Sequence, residues 1–294
     1  MKNDINEVWQ RTIYEKKARR TKDIAFESLR DSFGFRFCRT LKDLKFRQLV
    51  ASFNPKKGSK ILDVGCFTGH TLNRLSVDFG IEGYGVDLSP EAIKLTKKYK
   101  DFYNHFSIAS GNKLPFKNGF FDGAVSLDVL EHITDKKKFL KEFFRILKPG
   151  GWFIIYAVGN KYKFTFSWFL WLVLAKNTRY GDWGKAGHTE ENLVDSKFSK
   201  TELEHLGSKC IVVLFHSFFT LIFDLYFTRF FNKPLNDYLK SGRNNFHLEK
   251  IYLTFYSLVF RVSLYIFCFL DLPWNFLGLS NGFFLIGRKG SGKL

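Results

Sequence analysis

Residues 59–158 predict an α/β fold built on a mostly parallel sheet, and three observations carry the prediction. Short strand-like runs recur at 60–65, 83–87, 105–109, 122–127 and 152–158, with helical segments between them. The first run, with Ile61, Leu62 and Val64, is apolar enough for a strand covered on both faces. That run opens directly into a glycine turn, "DVGCFTG" from Asp63 to Gly69, and then into a helix. Such a turn brings a helix N-terminus and its N–H groups towards a ligand.

Each element follows from local pattern. After the turn, Leu72, Leu75 and Phe79 recur at helical spacing. The second strand ends in Asp87, and Ser89 and Pro90 then supply an N-cap and a first helical residue. "DKKKFLKEFFRIL" is expected to be a helix running to Leu147, stopped by Pro149-Gly150-Gly151. Beyond Gly159 the composition changes. An apolar run at 164–175, flanked by Lys161, Lys163, Lys176 and Arg179, leads into a polar stretch. Strands are expected at 210–215, running parallel with the others, and at 282–288, with an apolar helical insertion, 216–281, between them. The expected organisation is a basic helical arm (1–45), an α/β core (46–159), a mixed apolar and polar region (160–209), and the last two strands with their insertion (210–294).

Composition narrows the partners. A formal net charge of +18 favours an anionic one: nucleic acid, a membrane surface or an acidic substrate. The cysteines, Cys38, Cys66, Cys210 and Cys268, are scattered without a C-x-x-C pair, so neither a metal site nor a disulfide framework is expected. The first twenty residues have no apolar stretch and do not look like a signal peptide.

Asp87 lies 22 residues beyond Gly65, where an acid can accept hydrogen bonds from both hydroxyls of a ribose. An adenosine-type cofactor is therefore expected. A nicotinamide cofactor would also satisfy the acid, but the turn lacks the second close glycine of G-x-G-x-x-G.

Four pieces in order, "ILDVGCFTG", "YGVDLS", "LPFKNGFFDGAVSLDVLEHI" and "FRILKPGGWFII", resemble the class I S-adenosylmethionine-dependent methyltransferases, in particular the branch with quinone-biosynthesis enzymes. The resemblance covers about 59–158 and implies a seven-stranded Rossmann-like methyltransferase fold with S-adenosylmethionine as cofactor. It implies that Asp63, Gly65, Cys66 and Gly69 line the methionine end. Asp87 would hold the ribose, with Leu88 beside the adenine, and Ser110 and Leu114 would lie in the loop over it. Asp128 and Leu130 would face the methionine portion, with His132 near the same pocket. Ser110 stands where many relatives carry an aspartate, and a hydroxyl accepts the adenine amino group more weakly than a carboxylate. His188, in the cap region ahead of "FSKTEL", is the candidate acceptor-side histidine.

The acceptor is expected to be a lipophilic or lipid-linked small molecule. His216, Thr220, Asp224 and Thr228 would form one polar stripe on a helix that is otherwise apolar, and 251–270 is apolar nearly all round with Arg261 in the middle. Three arrangements suit such segments: a dry cap or homodimer interface, monotopic docking on an anionic membrane, or a transmembrane hairpin. Asp224 and Arg261 count against the hairpin. Docking on the inner face of the cytoplasmic membrane is the expected location. A soluble small-metabolite methyltransferase is the alternative. A nucleic-acid methyltransferase is disfavoured, because "SLDVLEH" lacks the Asn/Asp-Pro-Pro-aromatic motif used on flipped bases, and a non-catalytic membrane scaffold is the remaining option.

Overall fold

The structure is a computed structural model that describes residues 12, 15, 40–96, 105–161, 163–166, 168–169, 193–224 and 246–291, without the side chains of 246–254, 256, 257 and 260. His188, most of the 1–45 arm, most of the 164–175 run and the basic linker within the insertion lie outside the described residues.

In chain order the elements are α1 (Leu41–Ser52), β1 (Lys60–Val64), α2 (His70–Phe79), β2 (Glu82–Asp87), α3 (Pro90–Thr96), β3 (His105–Ile108) and β4 (Phe121–Leu127). A 3₁₀ turn (Leu130–His132), α4 (Lys136–Arg145), β5 (Leu147–Val158), α5 (Ser196–His205) and β6 (Ser208–Phe215) follow. The insertion carries α6 (Phe219–Ile222), α7 (Phe246–Leu270) and α8 (Leu272–Phe276), and β7 (Gly282–Lys289) closes the sheet. The seven strands lie in the order β3-β2-β1-β4-β5-β7-β6. β1 to β5 pair in parallel, whereas β7 is antiparallel to both β5 and β6. β6 therefore runs parallel to β5, and the insertion leaves the sheet on the edge where β1, β2 and β4 also end.

Alternation along the strands splits the core in two. Leu62, Val64, Phe153, Ile155, Phe283 and Leu285 pack with Phe139, Leu140 and Phe143 of α4 on one face. Ile61, Val125, Ile154, Tyr156 and Phe284 pack with α1, with Leu72 and Leu75 of α2, and with Leu264 of α7 on the other. Ser89 caps α3 as expected, its hydroxyl accepting the Ala92 N–H at 3.2 Å.

Two local expectations are corrected. α4 ends at Arg145, not Leu147, because Gly119, Phe120 and Phe121 donate to the carbonyls of Arg145 and Ile146 at 2.8–3.1 Å. Leu147 is already strand, paired with Phe121, and Pro149-Gly150-Gly151 forms the irregularity that resets the register before Gly123 meets Trp152. In the polar stripe of the insertion, His216 does not share a helix with Thr220, since it precedes α6 with φ +58, and Thr228 lies outside the described residues. His216 and Thr220 turn inward instead, to Asp224 and Asp271 respectively.

Candidate functional site

The glycine turn after β1 is held by β2. The amides of Gly65 and Cys66 both donate to the Val86 carbonyl, at 2.8 and 3.0 Å, and Gly69 donates back to Cys66. Gly65 and Gly69 have φ of +82 and +76, which favours glycine. What approaches them closely is the protein itself: a Cβ on Gly65 would lie 2.2 Å from Val129 Cγ2, and one on Gly69 2.6 Å from Phe106 Cζ. Between them Phe67 also sits at positive φ, +46, with its side chain packed on Ala92 and Leu95 of α3.

Asp87 ends β2, half-buried, where an adenosine ribose is expected. Its Oδ2 accepts the Phe67 N–H at 2.8 Å and its Oδ1 the Ser89 N–H at 2.8 Å. Each carboxylate oxygen can accept a further bond, so the pair suits a vicinal diol. Burial raises the Asp87 pKa above the ordinary carboxylate value, against the pull of those amides. Leu88 follows, half-buried. Beyond β3, the Ser110 hydroxyl accepts the Asn112 N–H at 3.3 Å, so part of its accepting capacity serves the turn. Leu114 is 4% exposed and packs in the α4-side core, with its N–H on Glu142 and its carbonyl on Arg145.

Asp128, just past β4, has φ +57 and donates its N–H to the Tyr156 carbonyl of β5. Its Oδ2 meets the Lys42 ammonium of α1 at 2.5 Å. Burial alone would lower the Lys42 pKa, yet Asp128, with Asp43 and Glu131, raises it, so Lys42 is a fixed positive charge. The 3₁₀ turn buries Leu130, Glu131 and His132. Among the described residues neither Glu131 carboxylate oxygen has a hydrogen-bond partner, although the Glu131 and Val158 amides lie near enough to favour its charge. Burial first, then Asp128, lifts Glu131 to about 8. Asp63, 3% exposed, is likewise lifted to about 8, by burial and then Asp87. Burial raises the Cys66 thiol too, which makes it a packing group rather than a nucleophile.

The structure thus gathers Asp63, Gly65, Cys66, Gly69, Asp87 and Leu88 at the ends of β1 and β2. Asp128, Leu130 and His132 stand at the end of the adjacent β4, with Ser110 following β3. A cofactor with a ribose and an amino-acid end fits this donor set, with Asp87 facing the diol and the Asp128–Lys42 pair offering both charges. Lys42, Phe67 and Glu131 escaped the sequence reading. Lys42 stands with Lys45 and Arg47 as one of three basic residues within Leu41–Ser52, and only the fold shows which one reaches β4.

Residues 62–155 match the family described as "Methyltransferase domain". The chain is 31% identical over 111 residues to norajmaline N-methyltransferase of Rauvolfia serpentina, covering 36% of this chain and 38% of that one. It is 34% identical over 119 residues to the chloroplastic tocopherol O-methyltransferase of Arabidopsis thaliana, covering 39% and 34%. The match thus spans little more than a third of these relatives. Phosphoethanolamine N-methyltransferase 2 of Haemonchus contortus, solved with S-adenosylhomocysteine, superposes with a TM-score of 0.55 at 18% identity over 84% of this chain and 52% of that one. Residues 62–155 are thus similar to the methyltransferase domain family, and the sheet that carries them has the class I methyltransferase fold.

Proposed function

We propose that this chain transfers a methyl group from S-adenosylmethionine to a lipophilic or lipid-linked small molecule at an anionic membrane surface. The cofactor supplies an activated methyl on a sulfonium and its own leaving group. The chain's work is then to hold the ribose at Asp87, position the amino-acid end near Asp128, align the acceptor and exclude water. A base is needed only where the acceptor must lose a proton. His132 and His188 are the candidates for it.

The acceptor class rests on one observation, the apolar face of the insertion. Phe255, Leu258, Val262, Tyr265, Ile266 and Phe269 recur along α7 at helical spacing, and all are exposed, as are Phe276 and Leu277 just beyond. Phe276 is 93% exposed. A stripe of this size marks a surface that something covers. Among the described residues no helix is long and apolar enough to cross a membrane. The face therefore suits lying on a bilayer, drawn there by the +18 charge, with the acceptor entering from the lipid beside the β-strand ends. That a tocopherol methyltransferase is among the relatives is in keeping with such an acceptor. A second copy covering the same stripe is the competing arrangement, and it would go with a water-soluble acceptor.

The experiment is a transfer assay with methyl-tritiated S-adenosylmethionine and an extract of the source cells, partitioned between organic solvent and water. Label in the organic phase that disappears with Asp87→Ala supports a lipid methyltransferase. Label confined to the aqueous phase removes the membrane substrate and leaves the stripe to a dimer.

A further inference from the structure

The insertion is fastened to the core by a buried polar chain that cofactor binding leaves unused. Tyr156, near the end of β5 and 2% exposed, brings its hydroxyl to 2.8 Å from His216 Nδ1. His216 Nε2 lies 2.7 Å from Asp224 Oδ2. Asp224 also accepts the Leu41 N–H at 2.6 Å and the Lys42 N–H at 3.2 Å. Those are first-turn amides of α1, which no carbonyl of the same helix can reach. Thr40 takes the Asp43 amide at 3.0 Å, so that turn is fixed both by its own N-cap and by a carboxylate 183 residues from Leu41.

Protonation follows from the surroundings. Burial, followed by the charges of Asp128, Glu131 and Asp224, holds the Tyr156 phenol well above its ordinary pKa, so it keeps its proton. The Nε2–H tautomer of His216 satisfies both contacts, with the Tyr156 hydroxyl donating to Nδ1 and Nε2–H donating to Asp224, an assignment made from the network. His216 adopts φ +58 to make both bonds, a conformation kept only where neighbours enforce it.

What this fixes is Lys42. The residue lies in the clamped turn, its ammonium on Asp128 Oδ2 and 4.8 Å over the Tyr156 ring. Without that cation, Asp128 would face the buried Glu131, which its charge already disfavours. We infer that Asp224 and His216 are positioning residues, which seat Lys42 on Asp128 and so let the insertion set the orientation and charge balance of the carboxylate after β4. The consequence for cofactor binding rests on the assignment of Asp128 to the amino-acid end of S-adenosylmethionine.

The test is a set of double-mutant cycles. Lys42→Met, Asp128→Asn and the double variant are prepared with Asp224 intact and again with Asp224→Asn. Each is unfolded in urea and titrated with S-adenosylhomocysteine by calorimetry. With Asp224 intact, Lys42 and Asp128 should show a coupling in urea that vanishes with Asp224→Asn. Affinity should fall about ten-fold in Asp224→Asn and in Lys42→Met, and no further when both are combined, as expected of residues acting in series. Asp224→Glu, which keeps the carboxylate, should recover part of the loss. A coupling that survives Asp224→Asn, or losses that multiply to about a hundred-fold as for independent sites, would overturn the inference. His216→Gln repeats the series if Asp224→Asn does not unfold cooperatively. If the wild-type chain binds no S-adenosylhomocysteine while the urea coupling behaves as expected, the cofactor assignment falls and the seating of Lys42 stands.

Discussion

The amide of Phe67 donates to Asp87 Oδ2 at 2.8 Å while Phe67 itself sits in the left-handed region, at φ +46. An aromatic residue there pays about 1–2 kcal/mol relative to glycine. Its ring offsets this by packing on Ala92 and Leu95. Phe67→Gly and Phe67→Ala both lose the ring, but only glycine relieves the backbone. The glycine variant should therefore be the more stable of the two by about 1 kcal/mol in urea unfolding. Equal or greater stability for alanine would show that the turn is not left-handed at this position.

Asp87→Asn should weaken S-adenosylhomocysteine binding by about ten- to a hundred-fold, the range for a lost charged hydrogen bond. Asn keeps one accepting oxygen, so the fold should persist. Calorimetry checks the affinity and circular dichroism the fold. Unchanged affinity would remove Asp87 from the ribose.

Stability should fall as pH rises from about 4 to about 8, since Asp63 and Glu131 each titrate near 8 when folded but near ordinary carboxylate values when unfolded. Over that window the folded chain holds protons that the unfolded chain has released, so raising pH favours unfolding. Asp63→Asn should flatten the slope and raise the melting temperature at pH 8 by about 2–4 °C. At pH 4 the variant and the wild type should melt together. A slope unchanged by both Asp63→Asn and Glu131→Gln would mean that neither group is buried as described.

If the proposed membrane docking is right, Phe269→Glu combined with Phe276→Glu should reduce binding to phosphatidylglycerol vesicles by at least about ten-fold, since two apolar side chains of the docking face are replaced by anions. These side chains are 70% and 93% exposed, so the melting temperature should hardly change. Co-sedimentation measures the first effect and calorimetry the second. Undiminished vesicle binding, with a dimer lost instead, would assign the stripe to a second copy.

Much of the sheet was legible because its strands announce themselves as apolar runs ended by Gly, Asp or Ser, and Ser89-Pro90 marks a helix start by simple capping chemistry. The Pro149-Gly150-Gly151 cluster misled, since the same residues that break a helix also make a strand irregularity, and pairing with Phe121 decides between them. Of the candidate site, Asp87 could be found from its strand end and its spacing from Gly65, while Asp63 and Asp128 came through the resemblance of the motifs around them. Lys42 could not, because its partner lies 86 residues away and no pattern in α1 points to it. The stripe from His216 to Asp224 obeys helical spacing in sequence, but buried hydrogen bonds to Tyr156 and to the amides of α1 outweighed that periodicity.

The order of the last strands bears on how the chain is made. β7 lies between β5 and β6, so β6 has no neighbour to bond until β7 has been synthesised. Through that interval on the ribosome, an unpaired strand edge and the apolar segments that follow it stand exposed together, the combination most prone to aggregate. A lipid surface or a chaperone that received the insertion as it emerged would thus shield the nascent chain before its sheet was complete.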